Sequence, residues 1–293
     1  MQAAPQAAGI TLANWNWKAV RLFVQKRFGR WLGRSSCFDY LHRLGFVLKR
    51  PKKRLLKADA AKREAFVAAY SALRTEAQAK GATIIFADEA HFRADAQLRA
   101  EWVLRGEPAL VDSTSPNLGE KATYYSGVCL ETGAVDSMAV TENCTAETSV
   151  AFLQQLRTKH DGPLIVIWDN GPMHRGPAMR SYLSTPGLNL CLVALPAYSP
   201  DFNSDEAIWG WAREEVASNF CFGTAAKIRE HIDRFFAGLA ERAAEVRQRC
   251  RKVLQAQADA LVTAANGMLV PTNHVVLTSE SVYSIPSCLA VKR

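Results

Sequence analysis

The first part of the chain carries apolar residues at helical spacing, in two short runs. Asn14–Phe28 has an apolar residue every three or four positions, which predicts an amphipathic helix. A second short helix is predicted from Ser35 or Ser36, as the N-cap, to Leu44. Phe46–Leu48 predicts a short strand that leads into a run of lysines and arginines. Helix, turn, helix and basic strand in this order indicate a winged helix-turn-helix.

The pattern changes after an Ala-, Lys- and Glu-rich stretch, residues 58–80, which predicts a connecting helix. The predicted strands that follow are Thr83–Ala87, Ala122–Leu130, Ala134–Val140, Leu164–Trp168 and Leu188–Leu195. The predicted helices are Thr145–Lys159 with Thr145 as its cap, Pro177–Leu183, one that begins at Asn203 or Ser204, and most of 224–265. Strands in a meander followed by strands alternating with helices predict an α/β fold with a mixed sheet flanked by helices, an order that matches a ribonuclease-H-like fold.

Charge is distributed unevenly along the chain. Residues 1–57 hold 13 of the 36 lysines and arginines but only one of the 28 acidic residues, so the remainder is slightly acidic. This basic head is typical of a module that binds a polyanion. The candidate DNA contacts are Arg34, Arg43, Lys49, Arg50, Lys52, Lys53 and Arg54.

These observations predict four segments. They are a winged helix-turn-helix module at 1–57 with about 13 disordered residues at its start, a linker helix at 58–80, a ribonuclease-H-like domain at 81–265, and a tail at 266–293 without interpretation. No apolar run approaches the roughly 18 residues of a membrane span, and Met1–Pro5 lacks the features of a signal peptide. We therefore expect a cytoplasmic protein with no membrane partner.

Three acidic residues occupy positions that suit metal-dependent chemistry. Asp88 and Asp169 each follow an apolar, strand-like run, and Glu206 lies at the start of an aromatic-rich helix. The end of a buried strand fixes a backbone while leaving its side chain accessible. Cleavage of a phosphodiester by two divalent ions needs carboxylates around both ions, and Mg²⁺ accepts few protein ligands because it retains several waters.

Each acid also has a structural interpretation. Asp169 begins Asp-Asn-Gly-Pro, which favours a turn, and Glu206 stands three residues after Asn203, as in a capping box. For any one acid alone the structural interpretation is favoured. For the three together, in this order, the catalytic interpretation is favoured.

The residues around these acids resemble the motifs of mariner-type DDE transposases. Asp88-Glu89-Ala90-His91-Phe92 resembles the Asp-Glu motif of that family, and Asp169-Asn170-Gly171-Pro172-Met173-His174 is similar to its Asp-Asn-x-Pro-x-His motif. The segment from Ala197 to Glu206 is similar to Pro-Tyr-Ser-Pro-Asp-Leu-Asn-Pro-x-Glu, with Ala197, Phe202 and Ser204 as the departures. The resemblance covers roughly residues 14–265 and points to the bacterial insertion-sequence branch.

The resemblance implies cut-and-paste DNA transposition. Asp88, Asp169 and Glu206 would bind two Mg²⁺ or Mn²⁺ ions, with Asn170, His174 and His91 supporting the site. Glu89 faces away from Asp88 if the strand continues, so it is not expected to be a ligand, and Trp209 and Trp211 are expected to pack in the core. The implied partners are double-stranded DNA, at element ends and target, and a second copy in a homodimer; a bacterial, nucleoid-associated protein is expected.

Two alternatives stay open. A non-catalytic or truncated DNA-binding remnant that represses transposition is favoured by the lack of the further helix-turn-helix that relatives carry ahead of the winged one. Retention of all three acids favours the enzyme. A cellular ribonuclease-H-like nuclease is disfavoured by the basic head and by the extended motif at Glu206.

Overall fold

The structure, a computed structural model, describes residues 3–49, 56–114, 119–141 and 143–267. The helices are α1 (Trp17–Phe28), α2 (Arg34–Arg43), α3 (Ala60–Lys80), α4 (Ala146–Lys159), α5 (Pro177–Leu183), α6 (Glu206–Ala212), α7 (Ala225–Gly238), α8 (Ala243–Cys250) and α9 (Val253–Gly267). The strands are β1 (Thr83–Arg93), β2 (Lys121–Val128), β3 (Val135–Val140), β4 (Leu164–Trp168) and β5 (Leu190–Ala194). The chain divides into two compact units, Met1–Arg54 and Leu55–Arg293.

The first unit contains the two predicted short helices. Helix α1 begins after Asn16, whose side-chain oxygen accepts hydrogen bonds from two backbone N–H groups of the first turn. Helix α2 begins earlier than predicted. Its N-cap is Gly33 rather than Ser35 or Ser36, and Ser35 lies inside the helix. At the other end of α2, Gly45 adopts a left-handed φ of +79° and the Phe46 N–H donates to the Leu41 carbonyl, as in a Schellman ending.

The strand predicted at Phe46–Leu48 is not formed. Residues 46–49 pair with no strand in the described part of the first unit, and Val47 and Leu48 are exposed. An apolar triplet indicates a strand only where a neighbour offers a hydrogen-bonding edge. The basic run that follows, with Arg50, lies outside the described residues.

The second unit is built on one five-stranded mixed sheet. Its strand order is β3-β2-β1-β4-β5. The pairs β1–β2 and β2–β3 are antiparallel, whereas β1–β4 and β4–β5 are parallel. The predicted meander followed by alternation of strands and helices is therefore confirmed.

Helices cover both faces of this sheet. Residues of α3, α6, α7, α8 and α9 pack on one face, which we call the α3 face, and residues of α4 and α5 pack on the other, the α4 face. Helix α3 contributes Phe66, Tyr70 and Leu73 to the core of its face. Trp209 and Trp211 are each 1% exposed, which confirms that they pack in the core. No helix in the described ranges is long and apolar enough to cross a lipid bilayer.

Two boundaries near the predicted site differ from expectation. Strand β1 continues to Arg93, so Asp88 lies within a strand rather than after it. The reason is that β1 pairs with β4 only up to Phe86 but with β2 from Phe86 onward. Helix α6 begins at Glu206, not at Asn203 or Ser204. The Asn203 side chain contacts the sheet instead, where its Nδ2 donates a hydrogen bond to the Ala87 carbonyl at 2.9 Å.

The turn between β2 and β3 provides a stability test. Gly133 has a φ of +78°, and a Cβ at this position would overlap the backbone of Ala243. Gly187 has a similar φ of +74° with no atom near its Cβ position. Left-handed backbone should cost Gly187→Ala about 1–2 kcal/mol, and Gly133→Ala should lose about 1–3 kcal/mol more through overlap. Urea unfolding of both variants measures the two losses of stability. Equal losses would show that a Cβ at position 133 does not overlap the backbone at the start of α8.

Candidate active site

The three predicted acids line one cavity. Asp88 in β1, Asp169 after β4 and Glu206 at the start of α6 all border a cavity of about 540 Å³. Asp169 and Asp88 reach it because β1 and β4 are parallel neighbours, and the loop from Pro196 to Asn203 forms another wall. Residues up to 118 positions apart in sequence (Asp88 to Glu206) therefore meet at one place.

Asp88 is half-buried, whereas Asp169 is exposed. The indole Nε1 of Trp209 donates a hydrogen bond to its Oδ2 at 3.2 Å, so this core tryptophan also fixes the carboxylate. Burial, and then the negative charge of Glu206, raise the pKa of Asp88 well above its ordinary value, and Glu89 and Asp169 add to the effect. The carboxylate is thus held where a cation would relieve its repulsion.

Asp169 is connected to Glu89 through a buried histidine. His174 Nδ1 lies 3.1 Å from Asp169 Oδ1, and its Nε2 lies 2.8 Å from Glu89 Oε1. Burial alone would lower the pKa of His174, but its hydrogen bonds to Asp169 and Glu89 raise it to about 9. The hydrogen bond from His174, followed by the Gly171 N–H, lowers the pKa of Asp169 despite burial. Glu89 faces the α4 face, where Trp168 Nε1 donates to it at 3.2 Å.

The loop that carries Glu206 is fixed at several points. Arg63 of α3 makes a two-pronged ion pair with Asp201, at 2.9 and 2.6 Å, and its guanidinium stacks over the Phe202 ring at 3.9 Å. Gln255 of α9 donates to Ser204 Oγ at 3.0 Å. Because Glu206 is the first residue of α6, it is not the third-position residue of a capping box, and its carboxylate remains available to the cavity.

Asp205 is a site residue that sequence reasoning missed. It is fully buried beside Asp88, and Ser126, the β2 partner of Asp88, donates a hydrogen bond to its Oδ2. Its Oδ1 has no partner. Burial, and then the charge of Asp88, raise the pKa of Asp205 well above its ordinary value. The available signal was a second acidic residue directly before Glu206.

The predicted supporting residues divide into two groups. Asn170 borders the cavity, and its amide donates to the Leu195 carbonyl, which fixes the end of β5. His174 contacts Asp169 directly, as described above. His91 does not border the cavity: its Nδ1 lies 2.9 Å from Thr123 Oγ1, and burial and then Lys121 lower its pKa.

Arg175 and Tyr198 are among the residues that border the cavity without having been predicted. Arg175 follows the turn Pro172–His174 and is exposed. Tyr198 is 51% exposed and has a φ of +58°, a conformation that is an outlier for a bulky residue. Its position inside the Ala197–Glu206 motif gave no indication of that backbone geometry.

The donor set fits a hard divalent cation. Mg²⁺ and Mn²⁺ prefer carboxylate oxygens, and three such groups face one open cavity. Glu89, Asp169 and His174 also place one donor atom each within 4.8 Å of one another. In that second group both ring nitrogens of His174 face carboxylate oxygens, and a histidine with a raised pKa is a hydrogen-bond donor rather than a ligand. Asp88, Asp169 and Glu206 all border the cavity, whereas Asp169 is the one member of the second group that does so.

The first unit presents part of the predicted DNA-contacting set. Arg34, Arg43 and Lys49 are exposed. Arg34 lies over the rings of Trp17 and Phe38 at 5.9 and 5.7 Å. The other predicted contacts, Arg50, Lys52, Lys53 and Arg54, lie outside the described residues.

Comparison with known families supports both units. The family profile described as DDE superfamily endonuclease matches residues 83–229, and the one described as winged helix-turn helix matches residues 13–70. No curated protein sequence matches the chain.

The chain is also similar to solved structures. It matches a "Mos1 transposase paired-end complex with left transposon end" with a TM-score of 0.55 and 17% identity, over 83% of this chain and 79% of that one. It matches the Mos1 mariner paired-end complex with Mn (TM-score 0.57, 17% identity, 84% and 74% coverage) and that with Mg (0.57, 16%, 85% and 78%). At these identities the likeness concerns the fold, and it confirms the ribonuclease-H-like class with a winged helix-turn-helix before it.

The raised pKa of His174 predicts a pH-dependent stability. A folded-state pKa of about 9, against an ordinary 6.5, means that the folded protein binds the proton more tightly. The resulting stability is fully present below about pH 6.5 and is lost as pH rises through about 9. We therefore expect the difference in free energy of unfolding between wild type and His174→Asn, measured with a metal chelator present, to decrease as the pH rises from about 6.5 to about 9. His42→Asn, which removes an exposed histidine, is the control; a constant difference for His174→Asn would contradict the prediction.

Proposed function

The chain belongs to the DDE superfamily of endonucleases, and from this premise we propose that it is a mariner-type DNA transposase of a bacterial insertion sequence. The observation that carries the proposal is the convergence of Asp88, Asp169 and Glu206 on one cavity. The proposed activity is hydrolysis of the phosphodiester at each element end, followed by strand transfer into target DNA. It would take place in the bacterial cytoplasm, at the nucleoid.

The proposed cofactor is a pair of Mg²⁺ or Mn²⁺ ions held by Asp88, Asp169 and Glu206. Such ions, when bound, activate water and neutralise charge that develops on the phosphate. The chain's own contribution is placement. Trp209 fixes Asp88, His174 orients Asp169, and Asn170 fixes the adjacent loop. His91 would support the strand through Thr123 rather than touch the reacting groups.

The two proposed steps are both substitutions at phosphorus. In the first, water attacks the phosphate, the P–O3′ bond breaks, and a free 3′-hydroxyl and a 5′-phosphate result. In the second, that 3′-hydroxyl attacks a target phosphate and displaces the target's own 3′-oxygen, so no external energy source and no covalent protein intermediate are needed. One cavity can serve both steps because the attacked group and the leaving group are of the same kind.

DNA binding is assigned to the basic head, residues 1–57, joined through the helix at 58–80 to a catalytic domain at 81–265. The proposed contacts are Arg34, Arg43, Lys49, Arg50, Lys52, Lys53 and Arg54. Helix α2 is proposed to reach base edges, while the basic run contacts phosphates. Because two element ends must be joined at once, we propose a homodimer as the active assembly.

The first test of this function removes one carboxylate. Asp88→Asn should abolish Mg²⁺-dependent nicking of DNA that contains an element end, because an amide does not neutralise the ion. Binding of the same DNA should survive or tighten, since a negative charge facing phosphate is lost. Glu230→Gln, at an exposed position of α7, is the matched control and should cleave normally.

Two outcomes of that experiment would contradict the proposal. Nicking by Asp88→Asn at the wild-type rate would exclude the catalytic assignment. Wild-type protein that binds ends but never nicks them, in Mg²⁺ or Mn²⁺, would favour the alternative of a DNA-binding remnant that represses transposition.

The charge distribution yields a separate test of binding. If about five phosphates are contacted, log affinity should fall against log salt with a slope of about −4 to −5. Changing Lys52, Lys53 and Arg54 to Gln in the full chain should weaken binding to all sequences and flatten the slope. Changing Lys159, Arg234 and Lys252 to Gln, which removes the same charge from the second unit, is the control. An unchanged slope in the first variant would show that the basic head does not bind the phosphates.

A further inference from the structure

Arg175 stands out among the residues that border the acid-lined cavity. Thirteen of the described residues line this cavity, three of them the acids, and Arg175 is the only lysine or arginine among those thirteen. Its side chain is exposed. A cation at the edge of three carboxylates would ordinarily be expected to pair with one of them.

Arg175 makes no such pair within the described ranges. Its Nη2 donates instead to the backbone carbonyl of Asn170 at 2.8 Å, and no salt bridge includes it, in contrast to Arg63 and Arg242, which each make two-pronged contacts with a carboxylate. A guanidinium offers five N–H donors. One hydrogen bond therefore fixes its orientation, and its other N–H donors have no hydrogen-bond partner in the described ranges. Its positive charge helps to lower the pKa of Asp169 without a direct ion pair.

The backbone of Arg175 is fixed as well. It directly follows the turn that places His174 against Asp169. The Arg180 guanidinium, one turn into α5, donates to the Arg175 carbonyl at 2.6 Å. Hydrogen bonds to both its backbone and its side chain therefore hold Arg175 at the edge of the cavity.

We propose that Arg175 binds a non-bridging oxygen of the phosphodiester that is cleaved in this cavity. This inference rests on the proposed function. The acids would hold cations on one side of the phosphate, and Arg175 would supply a fixed positive charge from the protein on another side. A guanidinium binds phosphate oxygens in a forked geometry that lysine cannot reproduce. Because negative charge on the phosphate increases in the transition state, the contact should act mainly on the cleavage rate.

The test uses full-length protein and DNA that contains an element end. Arg175→Ala should lower the single-turnover nicking rate in saturating Mg²⁺ by roughly 10²–10³-fold, while the Kd for DNA changes only a few-fold. Arg175→Lys should recover part of the rate. Arg234→Ala, an exposed arginine of α7 paired with Glu230, is the control and should behave as wild type. Urea unfolding of each variant confirms that rates are compared between equally folded proteins.

A modified phosphate separates direct contact from a structural role. Replacing one non-bridging oxygen of the scissile phosphate by a methyl group should slow the wild type strongly, and should slow Arg175→Ala much less, because the interaction is already missing. If the rate losses caused by the methyl group and by Arg175→Ala multiply in full when the two changes are combined, the proposed contact is overturned. The proposed contact is also overturned if Arg175→Ala nicks at the wild-type rate while Asp88→Asn is inactive. If Asp88→Asn also nicks normally, the proposed function itself fails.

Discussion

The repulsion between carboxylates at one cavity is the constraint on which this structure depends. Asp88, Asp169 and Glu206 border the same space, and the pKa of Asp88 is raised by burial and by the charge of Glu206. Like charges in a site of low dielectric favour separation or protonation. The surrounding fold must therefore hold each acid in place against this repulsion.

The three acids are held by three different means. Asp88 is held by the sheet, since β1 pairs with β2 on one side and β4 on the other. Asp169 is held by His174, whose other ring nitrogen is hydrogen-bonded to Glu89 on the α4 face. Glu206 is held by a loop that is attached to α3 and to β1 through Asp201 and Asn203. Loss of any one of these contacts would loosen the arrangement of the three carboxylates even though no acid is itself replaced.

The sequence was sufficient for features that depend on local pattern. Apolar runs predicted β4 exactly as observed, and Thr145 was correctly predicted to cap α4, with Thr148 completing a capping box. The errors arose where a distant partner decides. Strand β1 passes beyond Asp88 because β2 continues to pair with it, and Phe46–Leu48 forms no strand because no described neighbour pairs with it. The same limit applied to Glu89. Its orientation away from Asp88 followed from alternation, but its link to Asp169 depends on His174, 85 residues later.

Positive charge is divided between the two proposed tasks in a way that follows from electrostatics. Affinity for a polyanion rises with the number of phosphates contacted and is sensitive to salt, so many exposed cations in a head such as residues 1–57 suit binding. Chemistry on one phosphate needs few charges in fixed positions, because extra cations near the acids would form ion pairs with them and occupy the ligands that a metal requires. A cavity lined by three acids and one arginine oriented by a backbone carbonyl meets that second requirement. The uneven charge of the chain is thus what a protein needs if it binds a long polyanion in one place and reacts with a single phosphate in another.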